Sequence, residues 1–146
     1  MATYLISACL CGVACRYDGG CFGYPALRAL VHSGEAIPFC PECAGGLSTP
    51  RTPCEIVGNR VLTADGTDCT AAYQSGAQQA LALCRQHGLS AAILKESSPS
   101  CGTHTIYDGT HTGHKILGKG VCAAVLAQAG ISLYTEKQLP LELACE

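Results

Sequence analysis

Short apolar runs bounded by glycine, proline or polar residues alternate along this chain with stretches of helical periodicity. Four runs predict strands, at residues 4–8, 36–39, 91–94 and 131–134. Helical patterns begin at three points, Pro25, Asp68 and the residue after Gly120. The first two are followed by glycines suited to a helix C-terminus, Gly34 and Gly88. This alternation predicts an α/β fold with a mostly parallel sheet flanked by helices, a Rossmann-like three-layer arrangement.

The remaining segments predict smaller features. Residues 55–57 and 60–63 flank Gly58-Asn59, a pair typical of a tight hairpin turn. Residues 44–54 and 103–114 show no periodicity, and we expect loops there. A short helix is expected from Thr135, limited in length by Pro140. With 146 residues and no internal repeat, the chain is expected to form a single domain over residues 1–146.

Charge and hydropathy exclude several classes of partner. The net charge is −2 and charged residues make up only 14% of the chain, so no basic tract is present to neutralise a phosphate backbone. Macromolecular nucleic acid is therefore not an expected partner. No apolar run approaches the roughly 18 residues of a membrane span. The N-terminus lacks the features of a signal peptide, and we expect a soluble, cytoplasmic protein.

The cysteine content is unusual, at 12 residues. In a reducing compartment such a number indicates metal or redox chemistry, although a free cysteine is often only a small buried apolar residue. Two predicted strands run into Cys9 and Cys40, and the strand at 91–94 leads to Cys101 within Ser98-Pro99-Ser100-Cys101-Gly102. The carboxyl ends of parallel strands share one edge, so these thiols are expected to form one site. Thiolates suit an iron–sulfur cluster or zinc.

Six motifs follow one another along the chain: Ser7-Ala8-Cys9-Leu10 with Arg16-Tyr17-Asp18-Gly19, Cys40-Pro41-Glu42, Pro50-Arg51-x-Pro53-x-Glu55, Lys95 with Ser98-Pro99-Ser100-Cys101-Gly102, Ile106-Tyr107-Asp108-Gly109, and Gly118-x-Gly120-Val121. In this order they resemble the thiouracil desulfidase (TudS) family over residues 4–134. The resemblance implies a [4Fe-4S] cluster held by Cys9, Cys40 and Cys101. It also implies removal of sulfur from a small thiolated pyrimidine (2-thiouracil, 4-thiouracil, 4-thiouridine or its nucleotide), which gives the oxygen base and hydrogen sulfide.

According to that resemblance, three protein ligands leave one iron of the cluster open to the soft sulfur of the substrate. The reaction is then expected to proceed without net redox change. Glu42 is the expected general base or acid because it follows a ligand by two residues. Ser100, which precedes a ligand, is expected to orient water or substrate, and Ser98 is a further catalytic candidate. An open iron is exposed to oxygen, so the cluster is expected to be lost, or replaced by zinc, in aerobic preparations.

Five residues are candidates for substrate binding: Arg16, Asp18, Arg51, Lys95 and Gly120. Each has a structural alternative. Arg16 and Asp18 form an ion pair in the alternative interpretation. Arg51 and Lys95 bind a phosphate or a uracil oxygen, or else they pair with Glu55 or Glu96. The glycines at 118–120 admit a nucleotide phosphate at a helix start, or serve only to cap that helix.

Other residues leave alternative functions open. Cys15 or Cys43 could add a ligand, with Cys11 and Cys21 as further possibilities, and Cys40-x-x-Cys43 resembles a redox dithiol. The competing functions are a structural or metal-handling module that binds zinc or a cluster without catalysis, and a thiol redox protein. Three histidines depart from the family pattern and are expected to be solvated loop residues: His104, His111 and His114.

Overall fold

The structure, a computed structural model, describes residues 2–140. Its strands are β1 (Tyr4–Ser7), β2 (Ala36–Phe39), β3 (Cys54–Val57), β4 (Arg60–Thr63), β5 (Ala91–Leu94), β6 (Thr105–Tyr107), β7 (Lys115–Leu117) and β8 (Ser132–Thr135). Its helices are α1 (Pro25–His32), α2 (Pro41–Ala44), α3 (Thr70–His87) and α4 (Val121–Gln128), and one 3-10 turn covers Ala8–Leu10. Met1 and residues 141–146, including Cys145 and the end of the predicted C-terminal helix, lie outside the described residues.

A parallel four-stranded sheet forms the centre of the fold. Its strand order is β2-β1-β5-β8, and every pair of neighbours is parallel. Because β1 and β2 are in register from Tyr4 opposite Ala36 to Ser7 opposite Phe39, they end side by side. Two antiparallel hairpins, β3-β4 and β6-β7, lie outside this sheet. The predicted α/β architecture is confirmed.

Alternate side chains of the central strands enter two different cores, as expected for a sheet covered on both faces. On one face, Leu5 and Ala92 pack with residues of α3 and α4 such as Ala80 and Leu126. On the other face, Ile6 and Ile93 pack against α1. The middle strands are therefore buried along their whole length, and their mostly apolar sequences were readily identified. No helix within residues 2–140 is long and apolar enough to cross a membrane.

Most element boundaries match the sequence-based expectations, and the exceptions have local causes. The strands at 36–39 and 91–94 are confirmed to the residue, whereas the first strand stops at Ser7 because Ala8 begins the 3-10 turn. Helix α3 begins at Thr70, and Asp68 still accepts a hydrogen bond from the Thr70 amide at 2.8 Å. The helix expected from Thr135 is wrong within the described residues, where a turn joins Thr135 to Gln138.

The expected loop at 44–54 borders the short helix α2, and the expectation of a loop over 103–114 is wrong at Thr105–Tyr107, which form β6. Strands β6 and β7 have three residues apiece, and all of β7 is exposed, so no apolar alternation marks them. Helix α2 occupies a single turn that begins at Pro41. Proline at the first helical position is the signal that could have identified it. This turn carries Glu42 and follows Cys40 directly.

Helices α2 and α3 approach each other closely because glycines lie at their contact. A Cβ atom on Gly76 of α3 would lie 1.9 Å from the Pro41 carbonyl oxygen, and one on Gly45 would lie 2.0 Å from the Ala72 carbonyl oxygen. Neither contact can be relieved by rotating a side chain, because both partners are backbone atoms. The backbone segment that bears Cys40 and Glu42 is therefore fixed against α3.

Replacing Gly76 with alanine is expected to destabilise the fold. Overpacking against backbone costs about 3 kcal/mol, and the better helix propensity of alanine returns only about 1 kcal/mol. We expect a net loss of about 2 kcal/mol in the free energy of unfolding, measured by urea denaturation. Gln74→Ala, at an exposed position of the same helix, serves as the control and should change stability little. Equal stability of G76A and Q74A would contradict the close approach.

Candidate active site

A cavity of about 320 Å³ opens at the carboxyl edge of the central sheet. Cys40 enters it directly after β2, and Cys9 enters it from the 3-10 turn that follows β1. Cys101 reaches it from the loop after β5. The structure thus brings together three thiols that are 31 and 61 residues apart in sequence (40 − 9 and 101 − 40).

Cys15 also lines the cavity, and its backbone carbonyl oxygen lies 3.8 Å from the Cys40 sulfur. Interaction with the Cys40 side chain acts to lower the pKa of Cys15, but interaction with Cys9 and burial outweigh it and raise that pKa to about 12. Burial raises the pKa of Cys101 to about 12 as well. The pKa of Cys40 is raised by its bond with Cys15 and by burial. The raised pKa values favour the protonated forms of Cys15, Cys40 and Cys101 when no cation is bound.

This donor set fits an iron–sulfur cluster. Cys9, Cys40 and Cys101 are free, soft ligands, and metal binding would replace their protons with positive charge. Among residues 2–140, no three Cys, His, Asp or Glu side chains are arranged around a point that one metal ion could occupy. The fit therefore rests on the shared cavity and the softness of the donors. A cluster distributes its ligands over several irons rather than around one ion.

Glu42 lines the same cavity, and both of its carboxylate oxygens are held. The Tyr73 hydroxyl donates to Oε1 at 2.5 Å, and the Arg51 guanidinium donates to Oε2 at 2.5 Å. Burial acts to lower the pKa of Arg51, but the charge of Glu42 outweighs it and raises that pKa. The alternative in which Arg51 pairs with Glu55 is therefore wrong, because Glu42 occupies the guanidinium. Tyr73, which is 2% exposed, was not identified from the sequence.

Arg51 also connects Glu42 to the first loop. Its Nη2 donates to the Cys15 carbonyl oxygen at 2.9 Å, and the thiols of Cys40 and Cys43 both lie 3.8 Å from that same oxygen. Its Nε atom is buried and has no hydrogen-bond partner within the described residues. Arg51 thus connects Glu42 to the first loop. Because Arg51 itself lines the cavity, it can also contact a substrate there.

Lys95 lines the cavity, and its ammonium also contacts other protein groups. Nζ lies 3.0 Å from a Glu136 carboxylate oxygen, donates to the Glu96 carbonyl oxygen at 2.9 Å, and sits 5.3 Å from the centre of the Phe22 ring. The ion pair with the Glu96 carboxylate, the alternative considered for Lys95, is therefore wrong. Glu136 replaces it because the Glu96 side chain turns toward the loop that follows.

Glu96 organises that loop. Its buried carboxylate accepts hydrogen bonds from four backbone amides, those of Ser97, Thr103, His104 and Thr105. It also accepts one from the Thr103 hydroxyl and lies 3.0 Å from Nδ1 of His104. Burial acts to raise the pKa of Glu96, but the bonds from His104, Thr105 and Ser97 outweigh it and lower that pKa to about 2. A sequence offers no periodic signal for such a role.

Glu96→Gln is expected to destabilise the protein by on the order of 3 kcal/mol, because several buried amides lose a charged acceptor. The folded-state pKa lies below the ordinary value of 4.5, so this stabilisation is complete above about pH 4.5 and is lost as the pH falls toward 2. Unfolding of wild type and E96Q, followed by circular dichroism at several pH values, should converge across that window. Glu35→Gln, at an exposed position, is the control. A constant difference between wild type and E96Q from pH 6 to 2 would contradict the prediction.

The loop 98–102 is shaped by its own serine and by α4. Ser98 Oγ accepts hydrogen bonds from the amides of Ser100 and Cys101 at 3.0 and 3.1 Å. Ser100 is 1% exposed, and its hydroxyl lies 3.9 Å from the Cys101 sulfur. Both serines line the cavity. The geometry gives Ser98 a role in forming the loop and places the Ser100 hydroxyl beside the thiol.

Gly120 lies outside the cavity lining and packs beneath this loop. Its amide donates to the Gly102 carbonyl oxygen at 2.8 Å, and the next amides of α4 donate to the carbonyls of Pro99 and Ser100. A Cβ atom on Gly120 would lie 2.5 Å from Ser100 backbone atoms. The first amides of α4 are thus engaged by the protein itself, which favours the capping interpretation over a phosphate site.

Arg16 lines the cavity, whereas Asp18 does not. The two form an ion pair at 3.5 Å, and Asp18 also accepts a hydrogen bond from the Gly20 amide at 2.8 Å. The Arg16 guanidinium lies 4.5 Å from the centre of the Phe22 ring. Asp18 therefore serves as the ion-pair partner of Arg16 and not as a substrate contact. Of these two residues, only Arg16 lines the cavity and can contact a molecule in it.

Cys54 also lines the cavity, whereas the histidines and several other cysteines lie away from it. Cys11, Cys21 and Cys43 do not line it, and the Cys43 sulfur lies 3.3 Å from the Thr49 hydroxyl. His104 and His114 are exposed, as expected for loop histidines. His111 is only partly exposed, and its Nδ1 lies 3.7 Å from a Glu55 carboxylate oxygen. The three histidines form no common site within the described residues.

With its parallel sheet and its thiol-lined cavity, the protein falls in the class of α/β proteins that bring soft ligands to the carboxyl edge of a sheet. The chain belongs to the 2-thiouracil desulfurase family, whose sequence model matches residues 4–138. The resemblance drawn from the sequence motifs is confirmed.

Two relatives resemble the chain over nearly its full length. A solved structure of the [4Fe-4S]-dependent thiouracil desulfidase TudS (DUF523) has a TM-score of 0.93 and 46% identity, covering 99% of this chain and 97% of that one. The uncharacterized protein YbbK of Bacillus subtilis (strain 168) is 45% identical over 145 residues, which cover 92% of this chain and 96% of that protein.

Proposed function

We propose that this protein is a [4Fe-4S]-dependent desulfidase that removes sulfur from a thiolated uracil and releases the oxygen base and hydrogen sulfide. The observation that carries the proposal is the convergence of Cys9, Cys40 and Cys101 in one cavity beside Glu42. The family match and the similarity to a [4Fe-4S]-dependent thiouracil desulfidase support both the cofactor and the substrate class.

Cys9, Cys40 and Cys101 would hold the cluster as thiolates. When bound, the cluster supplies a Lewis-acidic iron for the thiocarbonyl sulfur, a soft donor that iron prefers to the exocyclic carbonyl oxygen. The protein contributes the position of the ring, the attacking water and the proton transfers. The cavity of about 320 Å³ would hold the cluster together with a small pyrimidine substrate.

Glu42 would accept the proton of the water that attacks the sulfur-bearing carbon. Arg51 and Tyr73 fix the carboxylate from two sides, so little reorganisation is needed before proton transfer. The buried Ser100 hydroxyl would orient that water or the ring, and Arg16, Arg51 and Lys95 would contact substrate oxygens from the cavity wall. The proton on Glu42 would then pass to the departing sulfur. As the C–S bond breaks, the hydroxyl group on the same carbon would become the carbonyl and give up the second proton, so that the sulfur leaves as hydrogen sulfide.

The substrate form and cellular setting are part of this proposal. The cavity wall carries cations, and Lys115 lies at its margin with Nζ 5.4 Å from the centre of the Tyr107 ring. A nucleoside or nucleotide such as 4-thiouridine or its phosphate would suit this mixed aromatic and cationic margin. The absence of a basic tract favours a small molecule over macromolecular nucleic acid. We propose a hydrolase- or lyase-like reaction in the cytoplasm.

The test is an anaerobic assay of iron-loaded protein. We expect about four irons and four sulfides per chain and the release of sulfide and uracil from 2-thiouracil, followed by chromatography and a sulfide assay. Iron-loaded protein that releases no sulfide from 2-thiouracil, 4-thiouracil or 4-thiouridine would contradict the proposal. Colourless protein with tightly bound stoichiometric zinc and no activity would instead favour the structural or metal-handling module.

A further inference from the structure

Glu55 is a largely buried carboxylate that the chemistry above leaves unused. It lies on β3, its side chain is 12% exposed, and it lines the cavity. Its Oε1 accepts hydrogen bonds from the backbone amides of Gly109 and His111, at 3.0 and 3.2 Å, and its Oε2 lies 3.7 Å from Nδ1 of His111. These two partners lie in the turn that joins β6 to β7. The carboxylate therefore fastens that turn to β3.

The backbone of the same turn approaches β3 very closely. A Cβ atom on Gly109, whose φ is 92°, would lie 2.7 Å from the Ile56 carbonyl oxygen, so only glycine fits there. His111 has a φ of 58°, a left-handed conformation that is uncommon outside glycine. Such a conformation persists where the surrounding contacts hold it, and Glu55 supplies them. The close approach and the carboxylate contacts are two separate observations that show the same docking.

The docked hairpin carries two side chains to the margin of the cavity. Tyr107 of β6 and Lys115 of β7 are opposite partners in the hairpin, and both line the cavity. The Lys115 Nζ lies 5.4 Å from the centre of the Tyr107 ring, so the two side chains form one unit. An aromatic ring offers a flat surface to a pyrimidine. Because Tyr107 precedes Gly109 by two residues, its position depends on where the turn is held.

We propose that Glu55 is a positioning residue for substrate binding: its carboxylate holds the turn at 109–111 against β3 and so fixes Tyr107 and Lys115 at the cavity margin. This inference rests on the proposed function, since it takes a thiolated uracil as the molecule that meets these side chains. Neither hairpin residue has a step in the proposed reaction. Loss of the docking should therefore weaken the binding of substrate and transition state equally, which raises KM and leaves kcat unchanged.

A purely structural role for Glu55 predicts a different outcome. If the carboxylate only stabilised the fold, its removal would lower the free energy of unfolding and leave the KM of folded protein unchanged. If it positions the hairpin at the cavity, KM rises even in protein that remains folded. A substitution that lifts the same turn by another route should then have the same effect. Gly109→Ala is that substitution, because its added Cβ atom would meet the Ile56 carbonyl oxygen.

The experiment compares wild type, Glu55→Ala, Glu55→Gln, Gly109→Ala and Gly113→Ala after anaerobic cluster reconstitution. Gly113 is the matched glycine control, because it lies in the same hairpin with a φ of 84° but a Cβ atom there would meet no described residue within 4 Å. Iron content, kcat and KM are measured with 4-thiouracil and 4-thiouridine. Hydrogen exchange of residues 105–114, followed by mass spectrometry, reports on the turn without any substrate.

We expect E55A and G109A to raise KM roughly 3- to 10-fold, the value of about one aromatic contact, with kcat and iron content as in wild type. In both variants the amides at 109 and 111 should exchange at least about 10-fold faster. E55Q keeps a carbonyl oxygen that can accept from both amides, so it should retain the wild-type KM. G113A should also retain it.

The inference is overturned if folded E55A keeps the wild-type KM for both compounds while its turn exchanges faster. Should E55A fail to fold, the comparison of G109A with G113A decides, and equal KM values in those two proteins overturn the inference. Wild type that binds no cluster or releases no sulfide would refute the proposed function itself. The exchange data need no substrate, so they distinguish that result from a failure of the contact between Glu55 and the hairpin.

Discussion

Cys40→Ala is expected to remove both the bound iron and the release of sulfide. Cys40 lines the same cavity as Cys9, Cys15 and Cys101, and its sulfur lies 3.8 Å from the Cys15 carbonyl oxygen. Loss of an outer-shell contact costs about 10- to 100-fold in metal affinity, so we expect loss of a ligand to cost more than 100-fold. Iron and sulfide analysis, the absorbance of the cluster and the anaerobic assay measure the effect. A C40A protein that keeps its iron and its turnover would contradict the assignment.

Two further variants make this result specific. Cys21→Ser changes an exposed cysteine outside the cavity and is expected to leave iron content and turnover unchanged. Cys43→Ser distinguishes a cluster enzyme from a redox dithiol. A Cys40–Cys43 dithiol would lose its function equally with either substitution, whereas a cluster held by Cys9, Cys40 and Cys101 survives the loss of Cys43 with only a modest change. Equal loss in C40A and C43S would favour the dithiol.

Glu42→Gln is expected to lower kcat by about 100- to 10,000-fold, the usual contribution of a positioned general acid or base. Glutamine keeps the size of the side chain; its carbonyl oxygen can still accept from Arg51, and its NH₂ group can donate to the Tyr73 hydroxyl oxygen, so the cavity and the cluster should persist. The cluster content of E42Q should therefore match wild type, and the loss should appear in kcat more than in KM. Glu35→Gln, at an exposed site, provides the control for removing one carboxylate. E42Q with full turnover and an intact cluster would reject the catalytic role.

The sequence predicted those parts of the fold that have a periodic or boundary signal. Strand β5 is a run of four apolar residues ending at a polar loop, and its position at Ala91–Leu94 is confirmed. The hairpin around Gly58-Asn59 is also confirmed. Its signal was the glycine, which supplies the positive φ of 63° at Gly58. Strand β7 carries three exposed residues and has neither kind of signal. Its pairing with β6 depends on contacts that no local pattern encodes.

The candidate site residues also fall into those that the sequence revealed and those that it did not. Cysteines placed after strands were found because the direction of a parallel strand fixes the edge at which its last residue lies. Tyr73 and Glu96 were missed because each acts through partners far along the chain: Tyr73 contacts Glu42 across 31 residues, and Glu96 binds amides up to nine residues ahead. Arg51 and Lys95 were recognised as candidates, but their acidic partners were misidentified, since ion-pair choice depends on the final packing.

The close contact of α2 with α3 makes the α2 side of the cavity rigid, whereas the opposite side is more adaptable. The glycine approach at Gly76 ties Cys40 and Glu42 to the longest helix of the fold, so enlarging the substrate range from this side would disturb the chemistry itself. The opposite margin is formed by the β6-β7 hairpin, where Tyr107 and Lys115 reach the cavity and the strand bearing Lys115 is open to solvent. Directed evolution toward bulkier thio-compounds should therefore accumulate its substitutions in that hairpin and leave α2, which carries Glu42, unaltered.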